Sequence, residues 1–234
     1  MIGFPDVWWC CGWVSAGRRW GCCSSCCRGE EFVVQLQVAL DVLDLPSALT
    51  LANRVSEFVD ILELGTPLVK SAGIAAVTAV KAAHPDKLVF ADLKTADAGE
   101  LEADLAFGAG ADLVTVMGVA DDDTVRGAVA AGARHGKRVV ADMIGGGDGG
   151  ERGVAFVEIH AGLDEQARPG YSIDRLLADG RAAGVPFSIA GGVKADTIGS
   201  VREAGAVVAV AGGAIYNADD PAAAAAELQK RIVS

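Results

Sequence analysis

The stretch KLVFADLKTADAGELEADLAFGAGADLVTVM, residues 87–117, contains two apolar runs separated by a helical pattern. The runs at 87–94 and 111–117 are nearly continuous in apolar residues, as expected for parallel strands covered on both faces. The segment between them, GELEADLAFGAG, ends in glycine, as many helices do. A strand, a helix and a second strand together predict one unit of a parallel sheet.

The same alternation covers the chain from Phe32 onward. Further strands are predicted at 33–41, 59–65, 138–144, 154–160, 186–192 and 206–213. Helical patterns lie between them at 46–58, 72–84, 121–136, 171–184, 194–205 and 220–233. Eight such units in about two hundred residues favour a closed (β/α)8 TIM barrel, with residues 32–234 as its catalytic domain. An open doubly wound sheet is the alternative, but it usually has a glycine-rich turn after its first strand, and here that turn is DVLDLPS.

One connection breaks the alternation. Only GGGDGGERG, residues 145–153, separates the fifth predicted strand from the sixth. A crossover between parallel strands normally takes a dozen or more residues and contains a helix, which glycine disfavours. The sequence therefore predicts a shortened or missing helix between strands 5 and 6.

Residues 1–31 differ in composition from everything that follows. DVWWCCGWVSAGRRWGCCSSCCRG, residues 6–29, holds all four tryptophans and all six cysteines. A zinc site using Cys23 and Cys26 lacks a second spaced pair of ligands, and a disulfide scaffold does not fit an intracellular enzyme. A signal peptide is disfavoured because Arg18 and Arg19 interrupt its apolar core. We interpret residues 1–31 as a disordered or spurious extension.

The net charge of the chain restricts the classes of partner that it is expected to bind. The formal net charge is −11, which argues against a nucleic-acid-binding protein because phosphate neutralisation needs lysine and arginine. A local pocket can still bind a small anion. No apolar run is long enough to cross a bilayer, so we expect no membrane partner and a cytoplasmic location.

Charged and glycine residues collect where the predicted strands end. Chemistry in TIM barrels takes place at the carboxyl ends of the strands. The polar residues at these ends are Asp41, Glu63, Asp92, Lys94, Asp142 and His160. Carboxylates favour a hard cation such as Mg²⁺, which stabilises an enediolate, while a histidine can move a proton at carbon. The two AGG turns, at 190–192 and 211–213, suit a phosphate because their bare backbone N–H groups can bind an anion.

The segment ADLKTADAG, residues 91–99, resembles the D-x-K-x-x-D signature of the orotidine-phosphate decarboxylase suprafamily. The surrounding LQVALD, DILELGTPLV, GADLVTVMG and IAGGVK are similar to one branch, which holds 3-hexulose-6-phosphate synthases and 3-keto-L-gulonate-6-phosphate decarboxylases. The resemblance runs from Val34 to the carboxyl terminus. It implies a (β/α)8 barrel that works as a homodimer with shared active sites.

The resemblance also implies a role for each site residue. Glu63 and Asp92 would ligate Mg²⁺, and Lys94 would support an enediolate. Asp97 would reach into the active site of the neighbouring subunit. Substrate hydroxyl groups would bind Asp41, and the sugar phosphate would bind Gly191, Gly192, Gly212 and Gly213.

Three positions separate the two branches. Asp142 lies in ADMI, where the decarboxylases have glutamate. Leu163 and Gly213 stand where the decarboxylases have arginines, although the synthases tend to have an aromatic residue at the position of Leu163. The resemblance thus favours the addition of formaldehyde to D-ribulose 5-phosphate, with His160 as the base. The alternatives are decarboxylation of 3-keto-L-gulonate 6-phosphate, and a catalytically impaired barrel that only binds sugar phosphates.

Overall fold

The described residues form a closed barrel of eight parallel strands that pair in chain order. The structure is a computed structural model, and it describes residues 33–147 and 152–233. The strands are β1 Gln35–Leu40, β2 Ile61–Leu64, β3 Leu88–Thr95, β4 Leu113–Met117, β5 Arg138–Asp142, β6 Phe156–His160, β7 Phe187–Ala190 and β8 Val208–Ala211. Pairing of β1 with β8 closes the barrel.

Helices follow most of the strands. They are α1 Leu45–Val55, α2 Thr66–Ala72, α3 Ala75–Ala83, α4 Gly99–Gly108, α5 Asp122–His135, α6 Leu163–Gln166, α7 Asp174–Ala182, α8 Ile198–Glu203, α9 Gly213–Tyr216 and α10 Pro221–Val233. Local sequence explains several of their ends. Asp44 caps α1 by accepting a hydrogen bond from the backbone N–H of Ser47 at 2.8 Å, and Gly136 ends α5 in the left-handed conformation.

Each strand has an outer face toward the helices and an inner face toward the barrel axis, because successive side chains point to opposite sides. On β6, Val157 and Ile159 belong to the apolar cluster shared with the helices. Phe156, Glu158 and His160 have the opposite parity and face the interior. The inner face also carries other buried polar residues, namely Gln37, Glu63, Asp92, Thr115, Asp142 and Ser188.

The eight predicted strands and the TIM barrel are confirmed, with strand ends shorter by one or two residues in most cases. The sequence did not predict α2, α6 or α9, which are short helices that begin directly after strand ends. The predicted helix loss is also found: the described parts of the β5–β6 connection, 143–147 and 152–155, contain no helix. Our interpretation of residues 1–31 falls outside the described residues. None of the described helices has the length and apolar character needed to cross a membrane.

Candidate active site

A cavity of about 1220 Å³ opens at the carboxyl ends of the strands. It collects most of the residues that the sequence singled out. Those that line it are Asp41, Glu63, Asp92, Lys94, His160, Gly191, Gly192, Gly212 and Gly213. Asp142 is fully buried directly beneath Lys94 and His160. The structure therefore brings residues from seven strand ends, 172 positions apart at the extremes (Asp41 and Gly213), to one site.

An irregularity at the end of β3 orients two charged side chains. The pairing of β3 with β4 shifts register between Ala91 and Thr95. Lys94 has φ +48°, in the left-handed region that non-glycine residues rarely adopt. Such strain persists only where surrounding contacts hold it, and it concentrates at functional sites. Here the contact comes from Thr115, whose hydroxyl oxygen accepts a hydrogen bond from the Lys94 backbone N–H at 2.8 Å.

Asp92 is fixed by hydrogen bonds to both of its carboxylate oxygens. The Thr115 hydroxyl donates to Oδ1 at 2.8 Å, and the Thr66 hydroxyl donates to Oδ2 at 2.6 Å. The Lys94 ammonium lies 2.9 Å from Oδ2. Three elements, β3, β4 and the start of α2, thus hold this carboxylate in place.

A second group of residues, which we call the histidine side, consists of Asp142, Glu158 and His160. The Lys94 ammonium donates to Asp142 Oδ2 at 2.6 Å, and His160 Nδ1 lies 3.0 Å from the same oxygen. Burial opposes ionisation of Asp142, but the bonds and charges of His160 and Lys94 outweigh it and lower its pKa to about 2. An ionised Asp142 accepts a hydrogen bond from the Nδ1–H group, which leaves Nε2, on the other edge of the ring, for a ligand in the cavity.

The remaining acids, Asp41, Glu63 and Asp92, form the carboxylate side. Glu63 is buried, and the neutral amide of Gln37 donates to its Oε2 at 2.7 Å. Burial and the charges of Asp92 and Asp41 raise the pKa of Glu63 to about 8. Burial and the charge of Asp92 also raise the pKa of Asp41. Lys94 pairs with Asp92 but also with Asp142. The three acids of the carboxylate side therefore share less than one full positive charge from this lysine.

This shortage of positive charge fits the predicted Mg²⁺. A hard cation takes carboxylate oxygens as ligands, and Glu63 and Asp92 present such oxygens to the cavity. The described residues contain one other convergent group of possible ligands, Asp142, Glu158 and His160, whose ligand atoms lie within 4.8 Å of one another. That group fits a divalent cation less well, because Asp142 is fully buried and both Lys94 and His160 already bond to its Oδ2.

The two glycine-rich turns meet at the other part of the cavity. Gly191 and Gly192 have φ of +114° and +75°, and a Cβ atom at Gly191 would lie 2.8 Å from the Ala161 carbonyl oxygen. The loop is held by two residues after β6. The Gln166 Oε1 accepts from the Gly192 N–H at 3.2 Å, and the Tyr171 hydroxyl donates to the Gly191 carbonyl at 3.0 Å. A side chain larger than the hydrogen atom of glycine does not fit at Gly191. Without a side chain, the backbone of this turn can approach a ligand closely.

Asp97 is separated from the other predicted residues. It is exposed and does not line the cavity of its own chain. Its carboxylate accepts a hydrogen bond from the Ala98 N–H at 2.7 Å, just before α4 begins. Its predicted role in a partner's site remains a prediction.

Sequence reasoning missed four polar residues that support the site: Gln37, Thr66, Thr115 and Glu158. Three of them lie inside strands, where Gln37 shares parity with Asp41, Thr115 follows the inward parity of β4, and Glu158 shares parity with His160. A polar residue inside an apolar strand, in phase with a strand-end acid or base, is the signal that would have found them. Thr66 gives no comparable signal, because its contact with Asp92 depends on how α2 begins.

The closed barrel, with acids, a lysine and a histidine around one mouth and glycine turns beside them, defines a TIM-barrel enzyme. A family model described as "Orotidine 5'-phosphate decarboxylase / HUMPS family" matches residues 34–228. The chain belongs to this family and is an enzyme of the lyase type.

Individual relatives agree with this assignment. The chain is 61% identical over 206 residues to 3-hexulose-6-phosphate synthase from Mycobacterium gastri, covering 85% of this chain and 100% of that protein. A crystal structure of a 3-hexulose-6-phosphate synthase superposes with a TM-score of 0.82 at 61% identity, covering 85% of this chain and 99% of the other. The structure of KGPDC from Streptococcus mutans in complex with D-R5P gives a TM-score of 0.81 at 27% identity, covering 86% and 97%.

Proposed function

We propose that the protein is a 3-hexulose-6-phosphate synthase, which adds formaldehyde to D-ribulose 5-phosphate to give D-arabino-hex-3-ulose 6-phosphate. The observation that carries the proposal is the pairing of His160 with buried Asp142 at 3.0 Å beside a cavity that also holds Glu63 and Asp92. The same activity is named for a relative of 61% identity. The reaction belongs to formaldehyde fixation by the ribulose monophosphate pathway.

The sugar phosphate lies across the cavity in this proposal. Its phosphate binds the backbone of Gly191, Gly192, Gly212 and Gly213, because bare backbone N–H groups can bind an anion. Its hydroxyl groups bind Asp41. A phosphorylated sugar is retained inside cells because its charge opposes passage through hydrocarbon, which supports a cytoplasmic location.

Glu63 and Asp92 would hold Mg²⁺. When bound, the ion would polarise the sugar carbonyl group and stabilise negative charge on the adjacent oxygen atoms. Lys94 lies between Asp92 and Asp142, and these acids, with Glu158, raise its pKa despite burial. It therefore stays a cation that can donate to an oxygen on which negative charge develops.

His160 carries the proton in each direction. Its Nε2 takes the C1 proton of ribulose 5-phosphate, and the electron pair of the C1–H bond forms the C1–C2 double bond of the enediolate. C1 then attacks the carbon of formaldehyde, and the resulting alkoxide oxygen takes a proton from the imidazolium ring. Asp142 keeps the ring oriented through both steps.

The active form is a homodimer with shared active sites in this proposal. Leu101 and Leu105, one turn apart on α4, are 63% and 55% exposed, and Asp97 lies exposed just before the same helix. An apolar helix face beside a charged residue suits a subunit contact. Mixing an Asp97→Asn protein with a His160→Gln protein tests this arrangement, since a mixed dimer has one site with both residues intact. Recovery of activity on mixing is expected, and no recovery from subunits shown to exchange contradicts shared sites.

A second candidate is 3-keto-L-gulonate-6-phosphate decarboxylase, because the KGPDC structure superposes with a TM-score of 0.81. Asp142, Leu163 and Gly213 argue against it. By the resemblance described above, the decarboxylases have glutamate at the first of these positions and arginine at the other two. Release of CO₂ from 3-keto-L-gulonate 6-phosphate faster than the aldol reaction would select this candidate.

A catalytically impaired barrel is the third candidate, motivated by the glycine-rich 145–153 segment. The short connection leaves β5 and β6 in register, with Asp142 opposite Glu158. It also leaves Asp142 and His160 within hydrogen-bonding distance. Thermal stabilisation by a sugar phosphate without turnover of either substrate would support impairment.

The test is an assay of purified protein with ribulose 5-phosphate, formaldehyde and Mg²⁺, with and without a chelator. We expect consumption of formaldehyde that stops on chelation and returns when Mg²⁺ is added in excess. Equal turnover with and without the chelator would show that the reaction does not need the metal. A protein that consumes neither substrate under both conditions contradicts the synthase function.

A further inference from the structure

Glu158 is a buried acid in the middle of β6 that the proposed mechanism does not use. Its side chain is 2% exposed, and the residue stands opposite Asp142 in the β5–β6 register. It shares strand parity with His160, two positions later. Its carboxyl group therefore lies in the barrel interior, one layer below the imidazole ring.

The carboxyl group has two neighbours that define its position. The Ser188 hydroxyl on β7 donates to Glu158 Oε2 at 3.3 Å. The other oxygen, Oε1, lies 3.6 Å from His160 Nδ1. The same ring nitrogen is 3.0 Å from Asp142 Oδ2. Nδ1 thus faces oxygen atoms of two different acids.

Of the two acids, Glu158 is the one whose surroundings disfavour the charged form. Its hydrogen bond comes from a neutral hydroxyl group, and a charged carboxylate in such a buried place is unfavourable. Asp142, by contrast, has Lys94 and His160 to compensate its charge. Burial and the charges of Asp142 and Glu63 raise the pKa of Glu158 well above its ordinary value, which agrees with the geometry.

We propose that Glu158 is a positioning residue for His160: its neutral carboxyl group, held by Ser188, presents a second oxygen to Nδ1 and so keeps the proton on Nδ1 and the lone pair on Nε2. With the carboxyl proton on Oε2, the opposite tautomer would turn an Nδ1 lone pair toward the ionised Asp142 Oδ2 and the Glu158 carbonyl oxygen Oε1, which is repulsive. The inference rests on the proposed function in so far as it takes His160 to be the base.

The neutral state of Glu158 matters as much as its place. A second anion beside the ring would stabilise the imidazolium form, which has no lone pair on Nε2 to accept the C1 proton. A neutral amide has the same shape and can turn its oxygen toward Nδ1. An aliphatic side chain of similar size offers no oxygen. Glu158→Gln and Glu158→Leu therefore separate a positioning role from a packing role.

The experiment reads the His160 ring directly by ¹⁵N NMR of the imidazole nitrogens near neutral pH. The chain has three histidines, so loss of one set of signals in His160→Gln assigns the resonances. In the wild type and in Glu158→Gln, we expect Nδ1 to be protonated and Nε2 to carry the lone pair. In Glu158→Leu, we expect a mixture of tautomers, with both nitrogen shifts moved toward an average.

The second readout is exchange of the C1 proton of ribulose 5-phosphate for deuterium, without formaldehyde. A roughly equal mixture of tautomers halves the fraction of rings with a lone pair on Nε2, so exchange should slow ~2-fold in Glu158→Leu, while Glu158→Gln keeps the wild-type rate. Thermal unfolding checks that each variant folds. Where Glu158→Leu does not fold, Ser188→Ala replaces it, because it removes the hydroxyl that holds the carboxyl group, and a partial shift toward mixed tautomers is then expected.

Each outcome decides the inference. A single Nδ1–H tautomer in Glu158→Leu, or in Ser188→Ala where that variant is used, overturns it. Equal losses in Glu158→Gln and Glu158→Leu also overturn it, because an ionised carboxylate would then be required. The wild type could show the predicted tautomers and yet neither exchange the C1 proton of ribulose 5-phosphate nor consume formaldehyde. That result contradicts the synthase function and leaves the positioning role intact.

Discussion

On the carboxylate side of the barrel mouth, burial and mutual repulsion raise the pKa values of Asp41 and Glu63, the latter to about 8. On the histidine side, Asp142 is also buried, yet its pKa falls to about 2. Burial therefore does not decide the charge of these acids. The groups that bond to each acid do, because the Lys94 ammonium and the His160 ring both bond to Asp142, while Glu63 has only a neutral amide.

The difference assigns separate tasks to the two sides. Uncompensated acids attract a cation and substrate hydroxyl groups, whereas a compensated acid orients a base. Lys94 joins the two sides, since its ammonium group bonds to Asp92 and to Asp142. The strained backbone of Lys94 is the structural feature that puts one cation between them.

The largest expected effect comes from Asp92→Asn. The change removes the charge that faces Lys94 and one proposed Mg²⁺ ligand, while the side-chain oxygen can still accept from Thr115. We expect kcat for formaldehyde consumption to fall ~10³-fold or more, measured at saturating substrate and Mg²⁺.

The matched control is Asp112→Asn at the opposite end of the barrel. Asp112 is likewise paired with lysine, here Lys81 and Lys137, but lies outside the cavity. We expect lower stability with normal turnover in the control. Unchanged turnover in Asp92→Asn would remove Asp92 from the mechanism.

His160→Gln separates the two tasks. Loss of the base should reduce kcat ~10²- to 10⁴-fold, while sugar-phosphate binding on the carboxylate side persists. Calorimetry of ribulose 5-phosphate binding, set beside C1 deuterium exchange, measures both. His135→Gln is the control, because His135 pairs with Asp104 away from the cavity. Exchange at the wild-type rate in His160→Gln would assign the base elsewhere.

Gly65→Ala displaces a single acid on the carboxylate side. Gly65 has an ordinary φ of −59°, but an added Cβ would lie 1.9 Å from Asp41 Oδ1, so the carboxylate must move. We expect KM for ribulose 5-phosphate to rise ~10-fold with a smaller change in kcat, as for lost binding contacts. Gly199→Ala, whose methyl group meets open space, is the control. An unaltered KM would show that Asp41 does not bind the sugar.

The smallest effect is a difference in stability with pH in metal-free protein. Glu63 has an ordinary pKa of 4.5 and a folded pKa of about 8. Between these values the folded state keeps a proton that the unfolded state releases, so the free energy of unfolding falls as pH rises. One proton corresponds to at most ~1.4 kcal/mol per pH unit.

Denaturant unfolding from pH 5 to 8, with chelator present, measures this slope. Glu63→Gln should have a shallower slope than the wild type, and Mg²⁺ should flatten the wild-type slope. Asp142 affects stability in the opposite sense and below the pH range of this experiment. Its contribution to the free energy of unfolding is complete above its ordinary pKa of 3.8 and is lost as the pH falls toward 2. Equal slopes for Glu63→Gln and wild type would contradict the described environment of Glu63.

Much of this site was predictable because five of the eight strands carry polar residues at their carboxyl ends. Asp41, Glu63, Asp92, Lys94 and His160 follow apolar runs, and the closed parallel barrel brings all strand ends to one mouth. Their individual roles came from the resemblance of ADLKTADAG and its neighbouring motifs to a known family. Thr66 and Glu158 were missed because their partners, Asp92 and Ser188, lie 26 and 30 positions away.

The sequence alone determined the eight strands, the barrel and the list of charged groups, because hydrophobic periodicity and strand ends are local properties. The tertiary structure alone decided which acids are charged, since a pKa depends on burial and on side chains from other strands. It also decided that one lysine serves two acids, which requires the left-handed backbone of Lys94 and the Thr115 hydroxyl that holds it.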